Sequence, residues 1–503
     1  MTTNVGRHKL QQVKLRGFER MLTTVDGVSM KIVHSMLVAG DAEALVQFVP
    51  VALMRTFNLH PRMRALQVKG KDFMAEIQAP ITLDDIARKN LLRVQRFSKS
   101  SEDSFDNWQQ YAEGECNIGF NRYSQLPFFL MVWIDEKAEQ ARLMLFSDHY
   151  MSDGYSGMVV LNCILELVAT LSAHESRVDQ DNQLQAFPLH SSFYDMWVAK
   201  KPLSKALMKG VISLLGKTIY RSEMKKFKPV LPARDDQHDF VVPPISNPTS
   251  ASFAQGDPSC MNKALAKCKD ERVTFGGAVV CATVLAFYHA AKTQPDFSPE
   301  EPFKLVADLD YNMRRRVPCP AEEDQVGAYV AFGNLESFTK QGLNLKTVRF
   351  WDLARRAKRE IDGILRQTLT LSAVPIIMDQ RINAKITPSF AKALNILHSQ
   401  TSDANLSNVG RYPYAKEHLL VSKAGEKTTL TVKSLHVYNP IPHLGPSAVL
   451  FVSSVDSFCY AMGHKCEDDA AKSLFSAWVA ISEYIGDIGT DDTLAGVLEQ
   501  LNL

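Results

Sequence analysis

The stretch RLMLFSDHYMSDGYSG, residues 142–157, ends an apolar run at His149 and places Asp153 and Gly154 four and five positions further on. The apolar residues before His149 predict a β-strand, and the apolar sequence from 156 to 173 predicts a buried helix. A histidine at the end of a strand has one side supported by the sheet and the other open to a cleft, a position suited to proton transfer. Asp153 can turn inward to fix the loop, and Gly154 can supply a backbone conformation closed to residues with a Cβ.

A second HxxxD pattern in the chain shows how little this spacing means by itself. His464 and Asp468 are also four positions apart, but Asp469 follows where the first pattern has Gly154. The glycine, the strand before the motif and the helix after it therefore carry most of the prediction. The structural alternative is that His149 merely caps a turn.

A histidine in this position favours general-base chemistry. Neutral imidazole, with a reference pKa of about 6.5, can take a proton from an alcohol, amine or thiol near neutral pH, which suits acyl transfer. A serine hydrolase is not indicated, because the chain has no G-x-S-x-G and Ser152 and Ser156 lack that sharp turn. No second histidine lies at metal-ligand spacing from His149, so we expect no metal.

Length and charge restrict the class of protein. The 503 residues exceed the size at which a single hydrophobic core stops growing, which predicts two domains or lobes. Lys and Arg total 57 and Asp and Glu total 55, a net charge of +2, without a block of like charges that would indicate nucleic acid or a membrane surface. The eight cysteines form no CxxC pair, and we find no secretory leader and no membrane-spanning run. We expect a cytoplasmic monomer.

The chain divides at a proline-rich segment. Residues 229–253 hold five prolines and little apolar periodicity, as a linker does. We therefore predict an N-terminal lobe at 1–228 with the histidine motif, a crossover linker at 229–253 and a C-terminal lobe at 254–503. Each half mixes strand and helix patterns, so the predicted fold class is α/β.

Four segments, in order along the chain, resemble the CoA-dependent acyltransferase superfamily, which includes chloramphenicol acetyltransferase, alcohol acetyltransferases, BAHD acyltransferases and condensation domains. DHYMSDG resembles the HxxxDG motif of that superfamily, and FERMLTTVDG (18–27) is similar to the entry of its alcohol-acetyltransferase and condensation branches. VADLDYNMRRRVP (306–318) resembles a strand that ends in a Leu-Arg motif, and DANLSNVGRYP (403–413) resembles a Ser-Asn-x-Gly segment. The resemblance implies two similar lobes, each a mixed sheet with helices, and a channel between them.

The resemblance also implies roles for the motif residues. His149 would be the general base that activates the acceptor for direct attack on a thioester, without an acyl-enzyme. Asp153 would be structural and paired with an arginine, which maps best to Arg314, although Arg315 or Arg316 would serve after a shift of register.

Two further sets of residues are implied with less support from the motifs. Asn408 and Gly410 would help to build the channel wall. Ser453 and Ser454 are weak candidates for stabilising the oxyanion.

One position departs from the pattern. The condensation and wax-ester branches often have a second histidine directly before the catalytic one, and here that position is Asp148. A carboxylate beside the base could raise its pKa or bind a cationic acceptor. Asp148 is therefore a further candidate for the channel lining.

The resemblance implies an acyltransferase that moves an acyl group from acyl-CoA, a co-substrate rather than a bound cofactor, to a hydroxyl or amine of a small, fairly apolar acceptor. One alternative is a condensation or ester-forming enzyme whose donor is an acyl carrier protein; KALMKG and RSEMKKFK, within residues 205–228, could supply a basic docking patch. The other alternative is a catalytically silent binding protein of the same fold.

Overall fold

The chain forms two six-stranded mixed sheets and a small three-stranded sheet in the part that this computed structural model describes. The described residues are 11–23, 28–70, 73–97, 104–173, 185–198, 206–207, 210, 227–245, 247–295, 297–298, 302–316, 322–335, 341–366, 379, 388–389, 392, 395–422 and 425–503. Most of the basic segment 205–228 and residues 24–27 of the first landmark lie outside them.

The first half of the chain contains the strands and helices β1 (Gln12–Lys14), α1 (Phe18–Leu22), β2 (Lys31–Ala39), α2 (Ala42–Leu59), β3 (Ala65–Gln67), β4 (Met74–Ile77), α3 (Leu83–Arg88), β5 (Leu92–Phe97), α4 (Trp108–Cys116), β6 (Phe128–Asp135), β7 (Gln140–Asp148), α5 (Gly154–Ala173) and α6 (Phe193–Val198).

The second half contains β8 (Ser250–Gln255), α7 (Pro258–Asp270), α8 (Phe275–Ala291), β9 (Ala307–Asn312), β10 (Val330–Asn334), α9 (Phe350–Arg366), β11 (Gln400–Arg411), β12 (Glu417–Val421), β13 (Lys427–Tyr438), β14 (Gly445–Ser454), β15 (Phe458–His464), α10 (Asp468–Tyr484) and α11 (Leu494–Gln500).

The first sheet places the histidine motif at the end of its central hairpin. Its strand order is β12-β13-β2-β7-β6-β5, antiparallel except for the β5–β6 pair. The predicted strand before the motif is confirmed as β7, which forms a hairpin with β6 and pairs with it from Phe128 opposite Ser147 to Asp135 opposite Gln140. Both strands are buried on both faces along nearly their whole length, and β7 ends at Asp148, one residue before His149.

The predicted helix after the motif is confirmed as α5, which packs on α2 and on the first sheet. By length and composition, α5 could span a bilayer, and 67% of its most apolar stretch is buried inside the protein. The helix is apolar around most of its circumference because neighbouring elements cover it on several sides.

The second sheet has the order β10-β9-β11-β14-β15-β8. The β9–β11 and β11–β14 pairs are parallel, and the other neighbours are antiparallel. Helices α8, α9 and α10 pack together, and their apolar residues join those of the sheet in a second hydrophobic core. Each lobe is thus a mixed sheet with helices, which confirms the predicted fold class.

The division into consecutive lobes needs a correction. Strands β12 and β13 lie in the C-terminal half of the chain but form one edge of the first sheet, where β13 pairs with β2 from Thr431 opposite Ala39 to Tyr438 opposite Val33. Strand β8 begins inside the predicted linker, at Ser250, and forms an edge of the second sheet. The first lobe therefore consists of two separate parts of the chain.

The two lobes meet along a surface that we call the seam. Contacts that cross it join Asp153 to Arg314 and Phe18 to Phe332, and Gly154 lies against Val409. The histidine motif lies on the first-lobe side of the seam.

Candidate active site

His149 is held in one tautomer by its own loop. Its backbone N–H donates to the Met30 carbonyl at 2.8 Å, and its Nδ1 lies 2.9 Å from the Ser152 carbonyl oxygen. A carbonyl oxygen only accepts hydrogen bonds, so Nδ1 carries the proton and Nε2 keeps its lone pair. The side chain is partly exposed. In the neutral form of His149, Nε2 is therefore the nitrogen that is able to accept a proton.

An aromatic pair lies beside the imidazole. The Phe18 ring contacts the His149 ring edge to face, with centroids 5.0 Å apart, and contacts Phe332 of β10 with centroids 5.8 Å apart. Gly17, with φ at +57°, turns the chain into α1 and so sets the position of Phe18. The sequence interpretation assigned neither phenylalanine to the site, although Phe18 opens the FERM segment used for the resemblance.

Asp153 joins the two lobes. Arg314 Nη1 donates to its Oδ2 at 2.9 Å and Nη2 donates to its Oδ1 at 3.0 Å, while the backbone N–H groups of Ser156 and Tyr329 donate at 2.8 and 2.9 Å. Burial alone would raise the pKa of Asp153, but the charge and hydrogen bonds of Arg314 and the backbone groups outweigh it and hold that pKa below its ordinary value. Asp153 is fully buried, so it fixes the loop.

The structure selects one of the three consecutive arginines. Arg314 is 1% exposed, whereas Arg315 and Arg316 are exposed and Arg315 pairs with Glu323. Arg314 also donates to the Ser156 hydroxyl at 2.8 Å and lies over the ring of Tyr329. The partner of Asp153 is therefore Arg314, in the register that maps best to the resemblance.

Gly154 does not have the special backbone conformation that was expected of it, and the glycine that the structure requires is Gly157. Gly154 does not have a positive φ, and a Cβ there would meet Val409 at an ordinary 3.5 Å, so the expected special backbone conformation is wrong. Gly157 is the position without room, because a Cβ would lie 2.1 Å from the His34 ring. His34 Nε2 lies 2.8 Å from the Gly154 carbonyl, and burial lowers the pKa of His34 to about 4. A neutral His34 thus supports the start of α5.

Asp148 does not line the seam, which corrects the expectation. Its carboxylate is fully buried, and Arg122 Nε donates to Oδ2 at 2.8 Å. Arg122 is itself 3% exposed and also donates to the Val28 carbonyl at 3.3 Å. Successive side chains along a strand point to opposite faces, so the side chain of Asp148 lies on the face opposite that of Ser147. The ion pair with Arg122 balances its charge within the first lobe.

The Ser-Asn-x-Gly segment forms the end of β11, with an irregularity between Asn408 and Gly410. Gly410 has φ at +92° and open space around it, so its backbone requires glycine. Asn408 is exposed, and its amide lies near Gly276 at the start of α8. The structure therefore brings Val409, between the two predicted residues, against the histidine motif.

Of the two serine candidates for an oxyanion donor, Ser453 has its hydroxyl engaged elsewhere. The hydroxyl of Ser453 donates to the Leu435 carbonyl of β13, a contact between the two lobes. Ser454 is buried, and its carbonyl accepts the Tyr412 N–H at 2.8 Å.

Asp310 is a residue near His149 that the sequence interpretation missed. It projects from β9 of the second lobe, and Asn405 Nδ2 donates to its Oδ1 at 3.0 Å. Burial raises its pKa, while hydrogen bonds from Asn405 and Ser407 and the charge of His149 act to lower it. Asp310 is thus close enough to His149 for their charges to interact. The alternation of apolar and acidic residues in ADLDYN was the available signal.

Metal ligation has no candidate in the part of the chain with described coordinates, where no group of three or more His, Cys, Asp or Glu side chains could hold an ion.

The fold and the motif define the class of this protein as the two-lobe acyltransferase and condensation fold. A trichothecene 15-O-acetyltransferase from Fusarium sporotrichioides has a similar structure, with a TM-score of 0.66 and 13% identity over 94% of this chain and 95% of that chain. The condensation domain of the monacolin K polyketide synthase MokA matches with a TM-score of 0.59 and 10% identity, over 96% and 99%. Polyketide synthase associated protein 5 from Mycobacterium tuberculosis matches with a TM-score of 0.56 and 12% identity, over 95% and 99%.

The sequence comparisons give the family. No curated protein matches the chain in a sequence search. The family model described as alcohol acetyltransferase matches residues 67–421, well over half of the chain. This protein belongs to the alcohol acetyltransferase family.

Proposed function

We propose that this protein transfers an acyl group from acyl-CoA to the hydroxyl or amine of a small, fairly apolar acceptor, with His149 as general base. Membership of the alcohol acetyltransferase family supports acyltransferase activity with acyl-CoA as co-substrate. The observation that carries the role of His149 is the hydrogen bond between its Nδ1 and the Ser152 carbonyl, because that bond leaves the Nε2 lone pair available.

In the proposed reaction, Nε2 takes the proton of the acceptor O–H or N–H while that oxygen or nitrogen attacks the thioester carbonyl carbon. The C–S bond then breaks, the CoA thiolate leaves, and the imidazolium returns its proton to the thiolate. General-base assistance of this kind is typically worth about 10²–10⁴ in rate.

Direct attack is favoured over an acyl-enzyme because the serines of the motif are not accessible nucleophiles. Ser152 and Ser156 are both fully buried. The Ser156 hydroxyl also accepts from Arg314 at 2.8 Å and donates to the Gly327 carbonyl at 2.9 Å. An acyl group delivered to either hydroxyl would have to disrupt the loop that holds His149.

The side chains around the motif favour an acceptor with an apolar body. Phe18 and Phe332 form an aromatic pair beside His149, and Val409 lies against Gly154. Apolar and aromatic side chains dominate sites that bind small molecules, with a few polar groups to set orientation.

His149→Ala tests the proposal. Thiol release from acetyl-, malonyl- and long-chain CoA is measured with several alcohols and amines, and products are identified by mass spectrometry. We expect the variant to release thiol about 10²- to 10⁴-fold more slowly than wild type. His190→Ala is the control, because the His190 imidazole bonds to Glu322 and not to a residue of the motif, so the variant should keep wild-type turnover. Equal, measurable rates for His149→Ala and wild type would reject His149 as the general base, whereas no thiol release by wild type with any compound would favour a silent binding protein.

A further inference from the structure

Strand β9 has one apolar and one polar face. Ala307, Leu309 and Tyr311 are buried in the second hydrophobic core, so the intervening Asp308 and Asp310 project from the other face of the sheet. Both aspartates are partly exposed. Asp310 is the one whose charge interacts with that of His149, which places it across the seam from the base.

A second chain of contacts gives the same position for Asp310. In the β9–β10 ladder, Asp310 lies directly opposite Phe332. Phe332 contacts Phe18 and Phe18 contacts His149, so the carboxylate and the aromatic pair border the same part of the seam. An acceptor that reaches Nε2 therefore passes between an apolar surface and a carboxylate.

Asp310 differs from the two aspartates of the histidine motif in having no cation as partner. Asp148 pairs with Arg122 and Asp153 pairs with Arg314, but among the described residues no lysine or arginine forms an ion pair with Asp310. A carboxylate offers about four acceptor positions, and Asn405 and Ser407 use only part of them. Asp310 thus keeps capacity to accept a hydrogen bond on the side that faces the seam.

We propose that Asp310 determines acceptor specificity by accepting a hydrogen bond from a second hydroxyl or amine next to the group that becomes acylated. The inference rests on the proposed function, because that function brings the acceptor to His149. The preferred acceptor is then a diol or an amino alcohol with an apolar body: its body packs on Phe18 and Phe332, and its second donor binds Asp310. Asn405 holds the carboxylate in place and is a positioning residue.

The test uses three compounds with one skeleton: 3-phenylpropan-1-ol, 3-phenylpropane-1,2-diol and 2-amino-3-phenylpropan-1-ol. Their dissociation constants are measured by calorimetry for wild type, Asp310→Asn and Asp310→Ser, and kcat/KM with acetyl-CoA is measured in parallel. Asparagine keeps the size of the side chain and can still bond Asn405. Thermal melting checks that each variant folds, and the serine variant serves if the amide disturbs β9.

For wild type we expect the diol and the amino alcohol to bind more tightly than the simple alcohol. Asp310→Asn should weaken the binding of the amino alcohol by about tenfold or more, because a charged hydrogen bond is lost, and that of the diol by a few-fold, because a neutral one is lost. The dissociation constant of the simple alcohol should stay within about twofold of the wild-type value. Comparing the loss of affinity for the diol with that for the amino alcohol shows whether a hydroxyl or an ammonium is the natural donor.

Three results overturn the inference. The first is equal binding of the three compounds by wild type, including no binding of any. The second is that Asp310→Asn ranks the three compounds as wild type does. The third is an equal loss of affinity for all three compounds, since that would mean that Asp310 acts on His149 and not on the acceptor. If the ranking appears in binding but acetyl-CoA releases no thiol with any compound, the proposed acyl transfer fails while the role of Asp310 stands.

Discussion

Two buried aspartates flank His149 in the sequence, and each pairs with a buried arginine, yet they join different parts of the molecule. Inside the first lobe, Asp148 accepts a hydrogen bond from Arg122 Nε at 2.8 Å. Asp153 pairs with Arg314 across the seam through two nitrogens and also accepts three backbone N–H groups, at 2.8, 2.9 and 3.2 Å. Similar chemistry thus stabilises one lobe in the first case and the arrangement of both lobes around His149 in the second.

The largest expected effect is that of Arg314→Ala. Removing one partner of a buried ion pair leaves the other charge without compensation, which typically costs about 3–5 kcal/mol. We expect a loss of unfolding free energy of that size in urea titrations, together with loss of thiol release, because Asp153 no longer fixes the loop of His149. Arg315→Ala is the matched control: Arg315 is exposed, so the variant should differ from wild type by less than about 1 kcal/mol. Equal stability of the two variants would contradict the interlobe role.

Asp148→Asn should have a smaller effect and a different one. The amide keeps the shape of the carboxylate but removes its charge, and losing a hydrogen bond between charged groups costs about 1.5–3 kcal/mol. Since Arg122 retains its bond to the Val28 carbonyl, the first lobe should still fold. We expect thiol release per folded molecule within about threefold of wild type, as the pair lies away from the seam. A fall as large as that of His149→Ala would place Asp148 in the reaction after all.

The smallest expected effect is the dependence of the Asp153 pair on pH. Its pKa is held below the ordinary value in the folded protein, so its contribution to stability is complete above the unfolded pKa of about 3.9 and is lost as pH falls through the folded pKa. The difference in unfolding free energy between wild type and Asp153→Asn should therefore be constant from pH 7 to about 5 and shrink below about 4, by about 1.4 kcal/mol for each unit of pKa depression. A difference that stays constant down to pH 2 would contradict the assigned charge.

Local patterns were sufficient to predict the strand before the histidine and the helix after it. The apolar runs of β7 and α5 are each continuous in sequence, and both elements lie where these runs predicted them. The resemblance supplied Arg314, which no periodicity could have connected to a residue 161 positions earlier.

The rest of the site depends on contacts between distant segments. His34 fills the space that Gly157 leaves, and Phe18 reaches His149 from the start of the chain; neither contact has a local signature. Asp148 misled the sequence interpretation because adjacency in sequence does not give the side of a strand on which a side chain lies. Similarly, the pattern of β13 predicts a strand but does not say which sheet it joins.

The contribution of the late strands to the first sheet has a consequence for synthesis of the chain on the ribosome. One edge of β2 bonds to β7, which follows within about a hundred residues, but its other edge bonds to β13 at Lys427–Tyr438. During translation that second edge stays unpaired until most of the polypeptide has emerged. A nascent chain with an exposed apolar strand edge is a target for chaperones and for aggregation. A fragment that stops before β12 would keep the motif of His149 but carry this open edge permanently.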